Sequence, residues 1–185
     1  MIAYVFWHWK RPAIPAHDYE QAQQGFHNAL AKAPPAGFHW SQSFALSGCD
    51  WAADRGDAYE DRYLVDDFTA LDALDKAAVT ASRQAPHDSA AALAAGGIAG
   101  IYELSQGEPM RVPRHAAWFS KPPGVSYAAL RELLDPVVAR GEAAVWMRRM
   151  TLGPTPEFCL YSAEALLVPE PIVALNVPLR PVYPS

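Results

Sequence analysis

Apolar and polar positions along this chain alternate with a period of two in some stretches and of about 3.6 in others. Residues 2–9 are continuously apolar and aromatic, which is typical of a strand that is buried on both faces. The stretches GFHWSQSFALSG and AYEDRYLVD carry apolar residues at every second position, so we expect two further strands there. GIAGIYEL predicts a fourth strand.

A helix is predicted between the first two strands, in AHDYEQAQQGFHNALAK. Tyr19, Phe26 and Leu30 fall on one helical face there. Asp18 is expected to be the N-cap residue, with Gln21 as its capping-box partner. A Pro-Pro pair ends the segment, because proline cannot continue a helix.

A second helix is predicted after the third strand, capped by Asp67 and carrying Leu71, Leu74 and Ala78 on one face. Asp88 is expected to cap a short helical turn that a Gly-Gly pair ends. The predicted order of elements up to this point is β-α-β-β-α-β, which describes a ferredoxin-like unit.

The same order begins again after SQGEPMRVP, a polar segment with prolines that we interpret as a linker. A strand, a proline turn and a helix capped by Ser126 are predicted, followed by strands in AAVWMRRMTL, EFCLYSAE and IVALNVPLRPVY. Only ALLVPEP separates the last two strands, so the second helix is shortened. The predicted halves are residues 1–108 and 109–185.

A short motif supports an internal duplication. The pattern W-x-x-K-x-P occurs at residues 7–12 and at residues 118–123, and Tyr19 and Tyr127 begin the helix that follows each copy. Two sheets that meet face to face would cover the apolar surface of both. The predicted fold is therefore α+β, with two ferredoxin-like βαββ(α)β halves that form an α/β-barrel pseudo-dimer within one chain.

The run WKRPAIPAHDYEQAQQGFHNALAKAPPAG resembles the opening of EthD-like proteins in the dimeric α/β-barrel, or ferredoxin-like, superfamily. In those proteins a Lys-Arg-x-Pro type turn ends the first strand, an aromatic residue comes early in the helix, and a histidine follows about two turns later. The corresponding positions here are Lys10, Arg11, Pro12, Tyr19 and His27. In the second half, SKPPGVSYAALRELL keeps part of the pattern, but Asp135 occupies the place of the histidine.

The resemblance implies the barrel fold and confines any role of the histidine to one half. Members and relatives of this family include small cofactor-independent oxygenases, decarboxylases and cyclases of aromatic compounds, as well as many proteins with no assigned activity. The resemblance therefore implies the fold more strongly than it implies any reaction.

Composition and charge exclude several classes of protein. A hydrophobic content of 51% with 19% charged residues is typical of a globular protein. The net charge of −5 is spread along the chain and argues against a nucleic-acid partner. No window approaches the ~20 apolar residues of a membrane span, and the first residues lack the basic region of a secretory signal. We therefore expect a cytoplasmic protein with no membrane partner.

No motif for a metal or a nucleotide occurs, so no cofactor is predicted. The two cysteines, Cys49 and Cys159, do not form a CxxC pair. His8 and His39 lie on different strands, so each could project into the barrel and the two could together bind a metal. No third ligand stands at a suitable spacing, so we predict no metal site.

His27 and His8 are the candidate catalytic residues, because an imidazole titrates near neutral pH and can act as a general acid or base. The alternative for His27 is a histidine that only packs or forms structural hydrogen bonds. His39 is a candidate ligand-binding residue, since it shares a strand face with Ser41 and Ser43.

Two pairs of residues are candidates for a ligand pocket. Asp61 and Tyr63 share a face of the third strand, and Trp146 and Arg148 share a face of a strand in the second half. A pocket with an Arg, a Tyr and Trp walls would suit a flat aromatic or carboxylated ligand. The alternative for Arg148 is an exposed charge at a sheet edge.

The sequence thus favours a protein that binds a small hydrophobic or aromatic molecule and, if it is an enzyme, transforms it without a cofactor. The chemistry would be oxygenase-, decarboxylase- or cyclase-like proton transfer by His27 or His8, with Arg148 or Tyr63 stabilising negative charge. The alternative is a structural or protein-interaction protein whose barrel is filled by side chains. Haem binding at a wide apolar slot is a third alternative.

Two features would separate these alternatives. A cavity lined by His8, Tyr63 and Arg148 would favour ligand binding, and a solid barrel of Trp and Phe would favour the structural role. The sequence leaves open whether the chain is an enzyme and whether it is a monomer or a homodimer.

Overall fold

Eight antiparallel strands close into a barrel in the computed structural model, which describes residues 1–49, 51–52 and 57–183, and four α-helices accompany them in these ranges. The strands are β1 (Ile2–Lys10), β2 (Phe38–Leu46), β3 (Ala58–Val65), β4 (Ala94–Gln106), β5 (His115–Phe119), β6 (Ala143–Arg149), β7 (Phe158–Ser162) and β8 (Ala174–Tyr183). The helices are α1 (Ala16–Lys32), α2 (Phe68–Ala78), α3 (Gln84–Leu93) and α4 (Tyr127–Val138). The α+β class is confirmed.

The strands follow one another around the barrel in the order β1-β3-β2-β8-β5-β7-β6-β4. The first four strands are therefore neighbours in the order β4-β1-β3-β2, and the last four in the matching order β8-β5-β7-β6. Two antiparallel pairs, β2 with β8 and β4 with β6, join the two sets and close the barrel.

Side chains that alternate along each strand divide between the interior of the barrel and its outer surface. One buried cluster receives members from all eight strands, so it fills the interior. Its largest members are Trp7, Phe44, Tyr102, Trp118, Trp146 and Tyr161. Trp7 and Trp118 meet edge to face at 5.3 Å between ring centroids, in the geometry that aromatic pairs prefer.

The helices cover the outer surface of the barrel with two separate apolar layers. Phe26 and Leu30 of α1 pack with Leu74 of α2 against the outer faces of β1 and β3. Leu130 and Leu134 of α4 pack against β5, β6 and β7 in the other layer. The functional candidates of the first half therefore lie under α1.

Two of the four predicted helix caps are confirmed. Asp67 accepts a hydrogen bond from the Ala70 amide at 2.9 Å, and Ser126 accepts one from Ala129 at 3.1 Å. The Asp18 cap is wrong, because α1 begins earlier and Pro15 occupies its N-cap position. Asp18 instead lies in the first turn, where a carboxylate interacts favourably with the helix dipole.

The Asp88 cap is also wrong, because this residue lies inside α3, which starts at Gln84. A 3₁₀ turn over Ala81–Arg83 leads into the helix and moves its start towards the N-terminus.

No helix separates β7 from β8 in the described part of the chain. The boundary between halves at residues 108 and 109 stays a prediction, and residues 184–185 of the second half lie outside the described ranges. None of the described helices is long and apolar enough to cross a membrane.

Candidate functional site

Asp61 lies at the centre of a buried polar cluster on the outer face of β3. Along this strand Glu60 and Arg62 point into the barrel, whereas Asp61 and Tyr63 point towards α1. The whole strand is buried, and Asp61 is only 2% exposed. A carboxylate at such a depth needs charged or hydrogen-bonding partners, because leaving it unpaired costs several kcal/mol.

Two histidines from different elements approach the two oxygens of this carboxylate. His8 Nε2, from β1, lies 3.2 Å from Asp61 Oδ1, and His27 Nε2, from α1, lies 3.3 Å from Oδ2. Both contacts have ion-pair distances without the alignment of a good hydrogen bond. The Tyr63 hydroxyl donates a well-formed hydrogen bond to Oδ2 at 2.9 Å. Both imidazoles are completely buried.

The second ring nitrogen of each histidine also has a partner. His8 Nδ1 lies 2.6 Å from the Tyr19 hydroxyl, and His27 Nδ1 lies 2.7 Å from Ser41 Oγ. If both hydroxyls donate, each Nδ1 accepts, and each Nε2 carries the hydrogen that faces Asp61. The two hydroxyl groups therefore hold both imidazole rings beside one carboxylate.

The cluster controls the charge of its acidic groups. Burial by itself would raise the pKa of Asp61, but the adjacent His8 and His27 outweigh it and hold this pKa well below its usual range. Burial and the negative charge of Asp61 raise the pKa of Tyr63 and of Tyr19. At neutral pH the site therefore holds a carboxylate next to two phenols that remain protonated.

A cavity of about 870 Å³ opens beside Asp61, between the outer face of the sheet and the helices α1, α2 and α3. Its polar wall includes Asp61, Tyr63, Tyr19 and Gln23, and much of the remainder is apolar. The apolar part of the lining comes from all three helices and from β1 and β4: Phe6, Phe26, Leu71, Leu74, Ala90 and Ile101. His8 and His27 are not part of the wall and lie behind Asp61.

The structure brings together four of the seven predicted site residues, namely His8, His27, Asp61 and Tyr63. The prediction that His8 projects into the barrel is wrong, because its side chain lies on the outer face against Tyr19. The sequence shows that alternate residues share a face, but it does not show which face meets a helix.

Trp146 and Arg148 do not join this site, so the predicted pocket with an Arg, a Tyr and Trp walls is wrong. Trp146 belongs to the interior cluster of the barrel, where its ring lies 5.1 Å from the Arg62 guanidinium. Arg148, which shares its strand face, donates a hydrogen bond to the Thr155 carbonyl. The barrel wall separates both residues from Tyr63, which lies on the outer surface of the barrel.

His39 lies outside the site and outside the barrel, contrary to the prediction. Its side chain is 35% exposed, and its Nε2 lies 2.6 Å from Asp66 Oδ1. The pairing of β2 with β3 shifts register between Phe38 and Trp40, which breaks the regular alternation at this residue.

A second polar cluster, inside the barrel, had no counterpart in the predictions. The carboxylate of Glu60 accepts hydrogen bonds from Trp7 Nε1 at 2.8 Å and from the Tyr161 hydroxyl at 2.6 Å. The Arg62 guanidinium lies 3.7 Å from the Tyr161 ring centroid and donates to Gln42 Oε1 at 3.2 Å. Burial raises the pKa of Glu60. Glu60 and Arg62 alternate along β3 in the sequence, but this pattern is equally consistent with a strand face that is exposed to solvent.

Sequence reasoning also missed the partners of the two histidines, Tyr19 and Ser41. A signal was present, because Tyr19, Gln23 and His27 follow one another at intervals of four residues on α1 and so share a face. Within the described residues, no three His, Cys, Asp or Glu side chains are placed to hold a metal ion.

Neither a protein-family profile nor a curated protein matches this chain. Six chains among the solved structures match it in fold. One is the crystal structure of a protein assigned as a chlorite dismutase, with a TM-score of 0.49 and 11% sequence identity, and the match covers 97% of this chain and 94% of that chain.

Proposed function

We propose that this protein binds a small hydrophobic or aromatic molecule in the cavity beneath α1, α2 and α3. One observation carries the proposal: a largely apolar cavity of about 870 Å³ has a buried, ionised carboxylate and a phenol in its wall. Small-molecule sites combine these features, with apolar walls for affinity and a few polar groups for orientation. A purely structural layer of helices would gain stability by closing such a space.

Proton transfer is the chemistry that we propose for the site if the bound molecule is transformed. His8 and His27 are imidazoles, the usual groups for this task near neutral pH, and hydrogen bonds with Tyr19 and Ser41 hold the two rings beside Asp61. Asp61 also lies between them and the cavity, so it is the member of this group that would contact the bound molecule. Tyr63 would stabilise negative charge by donating a hydrogen bond.

A variant that fills the cavity tests the binding proposal. Ala91 is exposed on α3 and lines the cavity, and Ala92 is its exposed neighbour outside the lining. We expect Ala91→Trp to abolish binding of the neutral fluorescent probe N-phenylnaphthylamine, measured by titration. Ala92→Trp adds the same side chain to the same helix and should leave binding unchanged. Equal binding by both variants, or none by the unmodified protein, would contradict the proposal.

The alternative is a structural or protein-interaction protein, and the filled interior of the barrel supports it. Trp7, Trp118 and Trp146 are completely buried there together with aromatic and aliphatic neighbours. Under this alternative no small probe binds, and Ala91→Trp has no effect. The same titration therefore distinguishes the two proposals.

We also propose that the chain arose by tandem duplication and belongs with the EthD-like members of the dimeric α/β-barrel superfamily. The matching orders β4-β1-β3-β2 and β8-β5-β7-β6 support a pseudo-dimer of two ferredoxin-like halves. Co-expression of residues 1–108 and 109–185 as separate chains tests it. We expect the two chains to co-purify in equal amounts as one barrel, and failure to associate would count against two self-contained halves.

A further inference from the structure

We infer that the natural ligand of the cavity beneath α1, α2 and α3 carries a protonated amine, whose ammonium group is held by Asp61. This inference rests on the binding proposed above and names the class of ligand. It replaces only the carboxylated ligand that the sequence suggested, because the arginine on which the carboxylate depended lies elsewhere.

The charged side chains that line the cavity are mainly negative. Its wall contains the carboxylates Asp61, Asp72 and Asp75, and among the described residues that line it none is Lys or Arg. Lys76 pairs with Asp72 at 2.6 Å, which leaves two carboxylates for a ligand. Burial and the nearby charge of Asp75 raise the pKa of Tyr4, which lines the same wall.

Imidazoles do not reverse this balance inside the cavity. His87 lines the wall, but its Nδ1 faces Asp88 Oδ1 at 3.0 Å. His8 and His27 lie behind Asp61 and present no atom to the lining. A ligand carboxylate would therefore lose its hydration without gaining a cationic partner, which is unfavourable for a buried anion.

Asp61 has unused capacity to accept a hydrogen bond. It is 2% exposed, and its Oδ1 atom forms no aligned hydrogen bond although His8 lies 3.2 Å away. A buried acceptor of this kind gains from a donor that the ligand supplies. An ammonium group supplies both the donor and the opposite charge, which gives a charge-assisted hydrogen bond.

The apolar wall is also suited to a cation. Six aromatic residues from α1, α2, β1 and β3 line the cavity, and the faces of such rings attract ammonium groups. These residues are Tyr4, Phe6, Tyr19, Phe26, Tyr63 and Phe68. The hydrophobic part of the ligand and its charged end would therefore find partners in the same wall.

Three probes that share one ring system test the inference on the unmodified protein: naphthylmethylamine, naphthylmethanol and naphthoic acid. Calorimetric titration at neutral pH should show the amine binding at least about tenfold more tightly than the alcohol, as a hydrogen bond between charged groups would provide. The acid should bind most weakly. If the alcohol or the acid binds as tightly as the amine, the inference is wrong while the proposed function stands. If none of the three binds, the proposed function fails as well.

Two variants then assign the effect to Asp61. Asp61→Asn keeps the shape of the side chain and should remove the preference for the amine over the alcohol. Asp66→Asn is the matched control, because Asp66 also contacts a histidine but lies outside the cavity lining. It should retain the full preference. Circular dichroism checks that both variants fold, and an Asp61→Asn protein that folds and keeps the tenfold preference overturns the inference.

Discussion

His27 and Asp61 meet at 3.3 Å, although one lies on a helix and the other on a strand of the barrel. The contact forms because α1 lies across the outer face of β3, which directs the imidazole down onto the sheet and the carboxylate up towards the helix. His27 is also stacked between the rings of Tyr63 and Tyr183, at 5.3 and 5.0 Å. The histidine is thus part of both the packing and the polar cluster.

This position gives His27→Gln a measurable effect on stability. We expect a loss of about 1–3 kcal/mol in the free energy of unfolding, because Ser41 and Asp61 lose a buried partner. His39→Gln is the control, since that histidine is partly exposed, and it should change stability by less than about 0.5 kcal/mol. Urea unfolding measures both. If the two variants lower the free energy of unfolding equally, the buried contacts of His27 add nothing to stability.

The same variant tests the role of His27 in the proposed site. His27→Gln should weaken binding of the neutral probe or abolish turnover, because it disturbs the carboxylate that the cavity exposes. Asp135, which the sequence places at the corresponding position of the second half, is the comparison. Its side chain is exposed and accepts a hydrogen bond from Gln106 at 2.6 Å. Asp135→Asn should leave binding unchanged, and an effect as large as that of His27→Gln would contradict a site in the first half alone.

The lowered pKa of Asp61 predicts the pH dependence of stability. Its contribution is complete above the ordinary value for an aspartate, about 4, and is lost as the pH falls from there towards the native pKa, because the unfolded state takes up the proton first. The free energy of unfolding should therefore fall less steeply in acid for Asp61→Asn than for the unmodified protein. If the free energy of unfolding changes in parallel for the two proteins between about pH 4 and pH 2, the carboxylate is not stabilised in the folded state.

Trp146 should contribute to stability and not to ligand binding. Its ring is completely buried inside the barrel, beside Arg62. Trp146→Ala should cost about 3–5 kcal/mol, as large truncations in a core do. The affinity for the neutral probe should be unchanged, because the barrel wall separates this residue from the cavity. If Trp146→Ala lowers the affinity without lowering the stability, Trp146 contributes to the ligand site.

The absence of a cofactor stays a prediction of the sequence. The purified protein should show no visible absorption band and no stoichiometric transition metal by elemental analysis. A Soret band would indicate haem, and about one metal ion per chain would indicate a metal centre instead.

Local patterns in the sequence determined the elements of this protein. The period of two predicted the strands, and the caps at Asp67 and Ser126 were predicted because a cap depends only on residues within one turn. The alternation along β3 also placed Asp61 and Tyr63 on one face. These relationships extend over a few residues, so the sequence carries them directly.

The tertiary structure decided which of these faces meet. Asp61 and Trp146 both lie on alternating strands, and the sequence could not show that one faces a helix and the other the barrel interior. That choice depends on the way in which eight strands close and on where α1 crosses them. The meeting of His8, His27 and Asp61 is a consequence of this packing, because the three residues come from three elements and no local interaction links them.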